Sequence, residues 1–600
     1  MSHEEEVLGK AYDARLMRRL FTYLRPYRGR VAVAIAAIVA HSLLELAPPY
    51  LTKIVIDRYI PAGDLSALGA IAALYLLILT ASFGAEYLQT SAMQMIGQRI
   101  MFDLRMQIHR RLNVLDLRYY DRNPVGRLMT RVTTDVDALN ELFTSGVVPL
   151  FGDVFTLLGI MGVLVWMDWR LALVAFSVLP LIALITQWFR RNVRQSYRTV
   201  RTLIARINAF LQERIVGMTT VHLFRREARD FEAFDDINRS HRDANLRSIF
   251  FYAAFYPGIE LVSALAWALI IWFGGRWVMR DTLTLGSLVA FLLYAQRFFR
   301  PISDMSEKFN ILQGAMASSE RIFTLLDTPV HVASPVSPVV PNRRGAIAFE
   351  RVTFAYVEGE PVLKDVSFRV EPGERVALVG ATGAGKTTIV SLLLRFYDVQ
   401  EGRITIDGED IRQMDLAALR AMFGLVLQDV HLFSGTIGGN VRLGDASITD
   451  AAVRNAVAAV HANVFVDRLP QGLDTPVAER GASLSVGQKQ LLSFARALAF
   501  DRPVLILDEA TSSVDTETEL LIRHALNVIM AGRTTIAIAH RLSTIQGMDR
   551  IIVLHKGQLR ETGTHQALLA ARGIYHRLYR LQFQAGRDAS SEEQTATSTA

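Results

Sequence analysis

The sequence predicts a multidomain chain: an all-α six-helix transmembrane domain followed by an α/β domain on a largely parallel sheet. Three observations predict it. Six apolar stretches, at roughly 31–56, 65–90, 142–167, 171–189, 249–279 and 285–305, are each close to the ~20 residues that a bilayer-spanning helix needs. Arginine is concentrated between the second and third stretches and between the fourth and fifth. From about residue 346, short β-branched runs alternate with helical patterns. Composition agrees, since 51% hydrophobic residues and a mean hydropathy of +0.24 stand beside 20% charged residues, a blend of membrane and water-facing material.

The start, MSHEEEVLGK, lacks the basic and apolar regions of a cleavable signal peptide, so the N-terminus is expected to stay in the cytosol. Segment 12–30 reads as a basic amphipathic helix in the membrane interface, with Leu16, Met17, Leu20, Phe21 and Leu24 at helical spacing among Arg18, Arg19 and Arg25. Spans three and four are separated only by Asp168, Trp169 and Arg170, which makes them a hairpin.

Orientation follows from the arginines, because short cytoplasmic loops retain Lys and Arg. Arg99, Arg105, Arg110, Arg111, Arg118, Arg122, Arg127 and Arg131 lie between spans two and three, and 190–247 is richer still, whereas the loops near 57–64, 168–170 and 276–283 are short and almost neutral. Both termini are therefore expected in the cytosol. Topology accounts for the net charge of +7 without a nucleic-acid partner. The two Arg-rich segments keep helical periodicity and read as extensions of the spanning helices. The absence of cysteine excludes disulfides, thiolate metal sites and a cysteine nucleophile.

These features divide the chain into a cytosolic and interfacial segment at 1–30, a membrane domain at 31–325, a linker at 326–345, an α/β domain at 346–583 and a polar tail at 584–600 expected to be disordered. Pro329, Pro335, Pro338 and Pro341 mark the linker.

The α/β domain carries the chemistry. The apolar run 376–379 leads into Gly380, Ala381, Thr382, Gly383, Ala384, Gly385, Lys386 and Thr387, followed by Thr388 and a helical stretch. This is G-x-x-x-x-G-K-[ST] in its strand–loop–helix context. Backbone N–H groups of such a loop converge on phosphate oxygens, the helix N-terminus favours negative charge, Lys386 reaches the terminal phosphates and the Thr387 hydroxyl can coordinate Mg²⁺. A second apolar run, 504–507, ends in Asp508 and Glu509. Beside a phosphate loop, Asp508 suits the metal shell and Glu509 a general base polarising the attacking water.

Leu484, Ser485, Val486, Gly487 and Gln488 resemble the short signature of ATP-binding-cassette proteins, and the resemblance runs over nearly the whole chain. It implies an ATP-driven transporter with a P-loop nucleotide-binding domain, and ATP and Mg²⁺ as cofactors. It assigns Tyr356 to adenine stacking, Gln428 to sensing γ-phosphate and Mg²⁺ as a catalytic and metal-shell residue, 512–515 to the loop that crosses to the partner, and His540 to a switch that contacts γ-phosphate. Ser485, Gly487 and Gln488 would bind the nucleotide held by the opposite chain, since in this family two nucleotide domains sandwich two ATP molecules head to tail.

One chain with six spans and one nucleotide domain thus resembles a half-transporter, in a bacterial inner membrane with its nucleotide domain in the cytosol. The usual signature has Gly where this chain has Val486, a departure that would affect the partner's site while Glu509 stays intact for this one. That split resembles the catalytic half of a heterodimeric bacterial exporter, and a heterodimer is favoured over a homodimer. The runs 117–137, with Asp121, Gly126, Arg127 and Arg131, and 209–218, with Glu213 and Gly217, resemble the two segments that couple membrane helices to nucleotide domains.

Fusion in this order resembles exporters of drugs, lipids or peptides. His41, Glu45, Glu86, Asp153 and Glu260 lie inside the spans, candidates for a cavity that recognises cationic or amphipathic compounds, or for hydrogen bonding between helices or placement near the interface. Two rivals are a soluble ATPase of DNA repair or translation, which fails on the six spans, and an ATP-gated channel or regulator.

Overall fold

A computed structural model of the chain describes residues 13–508, 516–539 and 545–581. The expectations for residues 1–12 and for the tail lie outside them. The chain divides into two compact units: 13–114 with Pro124–Thr328, and Leu115–Asn123 with the chain from Pro329 onward.

The first unit is helical. Among the described residues, five helical stretches are long and apolar enough to cross a membrane: Arg25–Ala62, Leu65–Val114, Val125–Met167, Trp169–Val216 and Glu227–Val278. The sixth span of the fold begins the helix Leu285–Asp327, whose apolar part is Leu285–Phe298. Leu65–Val114 has 50 residues and Glu227–Val278 has 52. At a rise of about 1.5 Å per residue each is about 75 Å long, more than twice the hydrocarbon thickness of a bilayer. The Arg-rich segments are therefore continuations of spanning helices, as their periodicity requires.

Local chemistry sets the breaks. Asp168 is extended, and its carboxylate accepts from the Arg170 and Leu171 amides, each at 2.9 Å, so it ends one helix and caps the next. The fourth span is two helices, Trp169–Phe176 and Leu179–Val216, with Pro180 in the first turn of the second. At the other end of that helix, residues 209–216 continue the long rod up to Gly217, and the short helix that turns the chain is Met218–Leu223. The run 209–218 that the sequence singled out thus spans the end of the rod, Gly217 and the first residue of the short helix.

Long-range contacts fasten the bundle. Asp57, at the end of the first span, accepts from the Thr284 hydroxyl at 2.6 Å and the Gly286 amide at 2.7 Å, which caps the start of the last helix. Buried Asp135 receives Arg321 and the Ser318 hydroxyl, the latter at 2.9 Å, which locks the helix Thr134–Glu141 to the last helix.

The second unit is built on two sheets. A six-stranded sheet runs Gln558–Gly563, Arg550–His555, Arg375–Val379, Thr534–Ile538, Val504–Asp508, Phe423–Val426, with the first pair antiparallel and the others parallel. Its central strands are buried along almost their whole length because both faces are covered. A four-stranded antiparallel sheet, Leu363–Val370, Ile347–Phe354, Glu401–Ile406 and Glu409–Asp410, packs its alternating apolar residues into one core with Ala384, Ile389 and Tyr397. The helix Val486–Ala499 is anchored through Leu491, Leu492 and Phe494 in a second core with Val457, Ile522 and Ile529.

Candidate functional site

The site is assembled by strand register. Leu378 is level with Ile538, Ile538 with Asp508, and Val426 with Leu507, so four parallel strands end together. The chain leaves these ends after Val379, Ile538, Asp508 and Val426. Ligands of open parallel sheets bind at this edge, where loops and helix N-termini converge.

The loop after Arg375–Val379 folds as its glycines require. Gly383 and Gly385 have φ of +81° and +102°, a region that side chains disfavour. A Cβ at Gly380 would strike the Leu554 carbonyl. Gly385 leads straight into the helix Lys386–Leu393, so the first amides of that helix face the loop. Lys386 is 7% exposed and its Nζ donates to the carbonyls of Gly380 at 2.7 Å and Ala381 at 3.2 Å. Burial pulls its pKa below the usual lysine value, and the nearby charge of Asp508 opposes that shift. An ammonium held among inward carbonyls and loop amides forms a ready anion cradle.

The two threonines differ. Thr387 is exposed, whereas Thr388 is buried and its hydroxyl accepts from the Tyr356 hydroxyl at 3.3 Å. Tyr356 itself is 37% exposed and its ring is nearly perpendicular to that of Phe354, with centroids 4.9 Å apart. Gln428 is exposed, two residues beyond the strand Phe423–Val426. Register thus brings Gly380, Ala381, Thr382, Gly383, Ala384, Gly385, Lys386, Thr387, Asp508 and Gln428 to one edge of one sheet. Glu509, His540 and the crossing loop 512–515 lie outside the described residues.

The signature group belongs to another element and another core. Ser485 caps the helix Val486–Ala499: its Oγ accepts from the Gln488 amide at 3.2 Å, and Gln488 Oε1 accepts from the Ser485 amide at 2.9 Å. Val486 is the first helical residue and 54% exposed. Gly487 follows it, buried.

In the spans, His41 meets the Ser82 hydroxyl at 3.1 Å, Asp153 pairs with Lys308, and the Glu45 carbonyl accepts from Arg297 at 2.6 Å. These are contacts between helices, while Glu86 and Glu260 are exposed on their helices. Sequence reasoning missed Tyr397. It is 6% exposed, and its hydroxyl donates to Asp121 of the helix Leu117–Arg122. A tyrosine in an apolar run carries no local sign of such a partner.

Residues 31–302 match the family model described as ABC transporter transmembrane region, and residues 363–512 match the one described as ABC transporter. The chain is 40% identical to a probable multidrug resistance ABC transporter ATP-binding/permease protein of Bacillus subtilis, over 85% of this chain and 76% of that one. It is 37% identical to an ATP-dependent lipid A-core flippase of Syntrophus aciditrophicus, over 95% and 94% of the two chains. Among solved structures, a bacterial Atm1-family ABC exporter with ATP bound superposes with a TM-score of 0.75 at 30% identity, covering 93% of this chain and 98% of the other.

Proposed function

The chain belongs to the ABC transporter family, and from that premise we propose that it is one half of a dimeric exporter that moves amphipathic molecules such as drugs or lipids out of the cytosol. It is a multi-pass, ATP-hydrolysing membrane exporter, and exporters of this family work as dimers. The proposal adds the substrate class, the site residues, the metal and the pairing. None of the relatives named above is described as a channel, and the ATP-gated alternative is set aside.

The observation that carries the site is the shared strand edge. There Lys386 and the amides around Gly383 and Gly385 would hold the phosphates, and Tyr356 would stack on adenine. The residues fit a magnesium ion. Thr387 and Gln428 are exposed oxygen donors, and Asp508 supplies one carboxylate close enough to act on Lys386. One carboxylate with hydroxyl and amide oxygens suits a hard cation that keeps several waters and shares the phosphates. When bound, such an ion neutralises charge on the transferred phosphoryl group. Glu509 is assigned to polarising the attacking water and His540 to the γ-phosphate.

Ser485, Gly487 and Gln488 are assigned to the nucleotide of the opposite chain. With Val486 projecting from the first turn of that helix, a branched side chain stands where phosphate would approach the N-terminus. That supports a heterodimer in which this chain supplies the intact carboxylate. The arginine asymmetry supports a cytosolic nucleotide domain and cytosolic termini, and the likeness to bacterial exporters supports a bacterial inner membrane.

ATP must bind the closed dimer better than the open one for its binding to change helix arrangement. The test is Mg-ATPase activity of the purified chain in lipid nanodiscs, together with ATP-dependent uptake of a fluorescent lipid or lipophilic dye into inside-out vesicles. Turnover and uptake that both vanish in Glu509→Gln support an exporter. ATP hydrolysis without accumulation of any amphiphile would overturn the substrate class, and full activity of a homodimer would overturn the heterodimer.

A further inference from the structure

Tyr356, Phe354 and Tyr397 form a three-ring cluster. The Tyr356 and Tyr397 rings are perpendicular at 5.2 Å, and Phe354 touches both, at 4.9 Å and 5.7 Å. Phe354 is fully buried at the end of Ile347–Phe354 and cannot give way. Tyr356 keeps a partly open side, while Tyr397 is 6% exposed. The Tyr397 hydroxyl leaves this cluster and donates to the Asp121 carboxylate, 276 residues earlier in the chain.

Asp121 belongs to the short helix Leu117–Arg122. That helix forms one compact unit with the α/β domain, although the helices before and after it, Leu65–Val114 and Val125–Val132, belong to the membrane unit. Next to it, Asp116 accepts from the His331 amide at 2.9 Å. A phenol in an apolar cluster costs free energy unless it is hydrogen-bonded, and a phenylalanine would fill the same space without that cost. Burial and the Asp121 carboxylate both push the Tyr397 phenol above its usual pKa, so it remains a neutral donor.

We infer that Tyr397 is a positioning residue that ties adenine binding to the coupling helix, because its ring packs perpendicular to the Tyr356 ring and its hydroxyl holds Asp121. The inference rests on the reading of Tyr356 as the adenine platform. Adenine stacked on Tyr356 restricts that ring, the perpendicular contact restricts Tyr397, and a restricted Tyr397 keeps its hydroxyl on Asp121. The phosphates report on catalysis, while this path reports that a whole nucleoside triphosphate is present. By reciprocity, movement of the helix Leu117–Arg122 changes how well adenine binds.

The chain has no cysteine, so Arg122→Cys places a single nitroxide beside Asp121. With the full chain in nanodiscs and a Glu509→Gln background, ATP is expected to change the mobility of that label. Inorganic tripolyphosphate, which has the phosphates and no base, is expected to change it far less. Tyr397→Phe and Asp121→Asn should each reduce the ATP response about fivefold or more, and the double variant should lose no more than either alone. A fluorescent ribose-labelled ATP should still bind Tyr397→Phe. The relay is overturned by a full label response in Tyr397→Phe, by additive losses in the double variant, or by a full response to tripolyphosphate. Tyr356→Ala separates the two readings: it should weaken binding of the labelled ATP, and unchanged binding there would remove the adenine platform itself.

Discussion

The ammonium of Lys386 lies 2.7 Å from the carbonyl oxygen of Gly380, the first residue of the loop that Lys386 closes. The side chain is thus folded back over its own loop, at 7% exposure, with one favoured direction for its charge. Lys386→Ala is expected to lower Mg-ATPase turnover about 100-fold, the scale of losing one preorganised charge at a transferring group. Lys386→Arg should fail as well, because a planar guanidinium does not fit where a compact ammonium is packed against two carbonyls. Near-parental turnover in either variant would show that Lys386 does not reach the phosphates.

Val486 sits at the first position of a helix whose N-cap, Ser485, is already satisfied by Gln488. Replacing it by glycine removes a 54% exposed branched side chain from the front of that N-terminus. The cost in helix stability is about 0.5–1 kcal/mol, small beside a well-capped 14-residue helix. If the chain is reconstituted alone, Val486→Gly is expected to raise its ATPase rate severalfold. An unchanged rate would mean that the side chain does not limit the composite site.

His565 points its Nδ1 at the Tyr575 hydroxyl, 2.6 Å away, and burial holds its pKa below the ordinary histidine value. Below about pH 6.5 the unfolded chain takes up a proton that the folded domain resists. The contribution of this histidine is therefore complete above that pH and is lost as pH falls towards the depressed folded value. Thermal unfolding of the intact protein should show a melting temperature that drops on acidification from pH 7.5 to 5.5. His565→Asn should flatten that dependence, and an equally steep profile in the variant would assign it to other groups.

How much of this was legible in the sequence depends on the range of each interaction. The loop 380–387 is specified by its own residues, since glycines that tolerate positive φ lie between an apolar strand and a helix. The spans are legible because a bilayer imposes length and composition. The break at Gly217 shows the limit, as helical periodicity alone does not say that the rod ends at this glycine and a short helix, Met218–Leu223, follows. Asp57 capping Gly286, and Tyr397 reaching Asp121, join residues 229 and 276 positions apart. No pattern in a single sequence reports such pairs, because either residue alone is equally consistent with a solvated or a packed side chain.

Asp153 and Lys308 pair between the helix Val147–Met167 and the last helix, with side chains 24% and 15% exposed. Charges so placed are tolerated because each neutralises the other, and the pair as a whole contributes little to stability over an apolar pair of the same volume. Asp153→Leu leaves an uncompensated ammonium and should cost about 3 kcal/mol, read as a fall of several degrees in the melting temperature in nanodiscs. Asp153→Leu with Lys308→Met should recover that loss, because no charge remains to be desolvated. If the double variant is as unstable as the single one, the pair is not the source of the effect. If stability returns while uptake of the fluorescent amphiphile stays low, the charges serve the transport path, and packing can be discarded as their reason for being there.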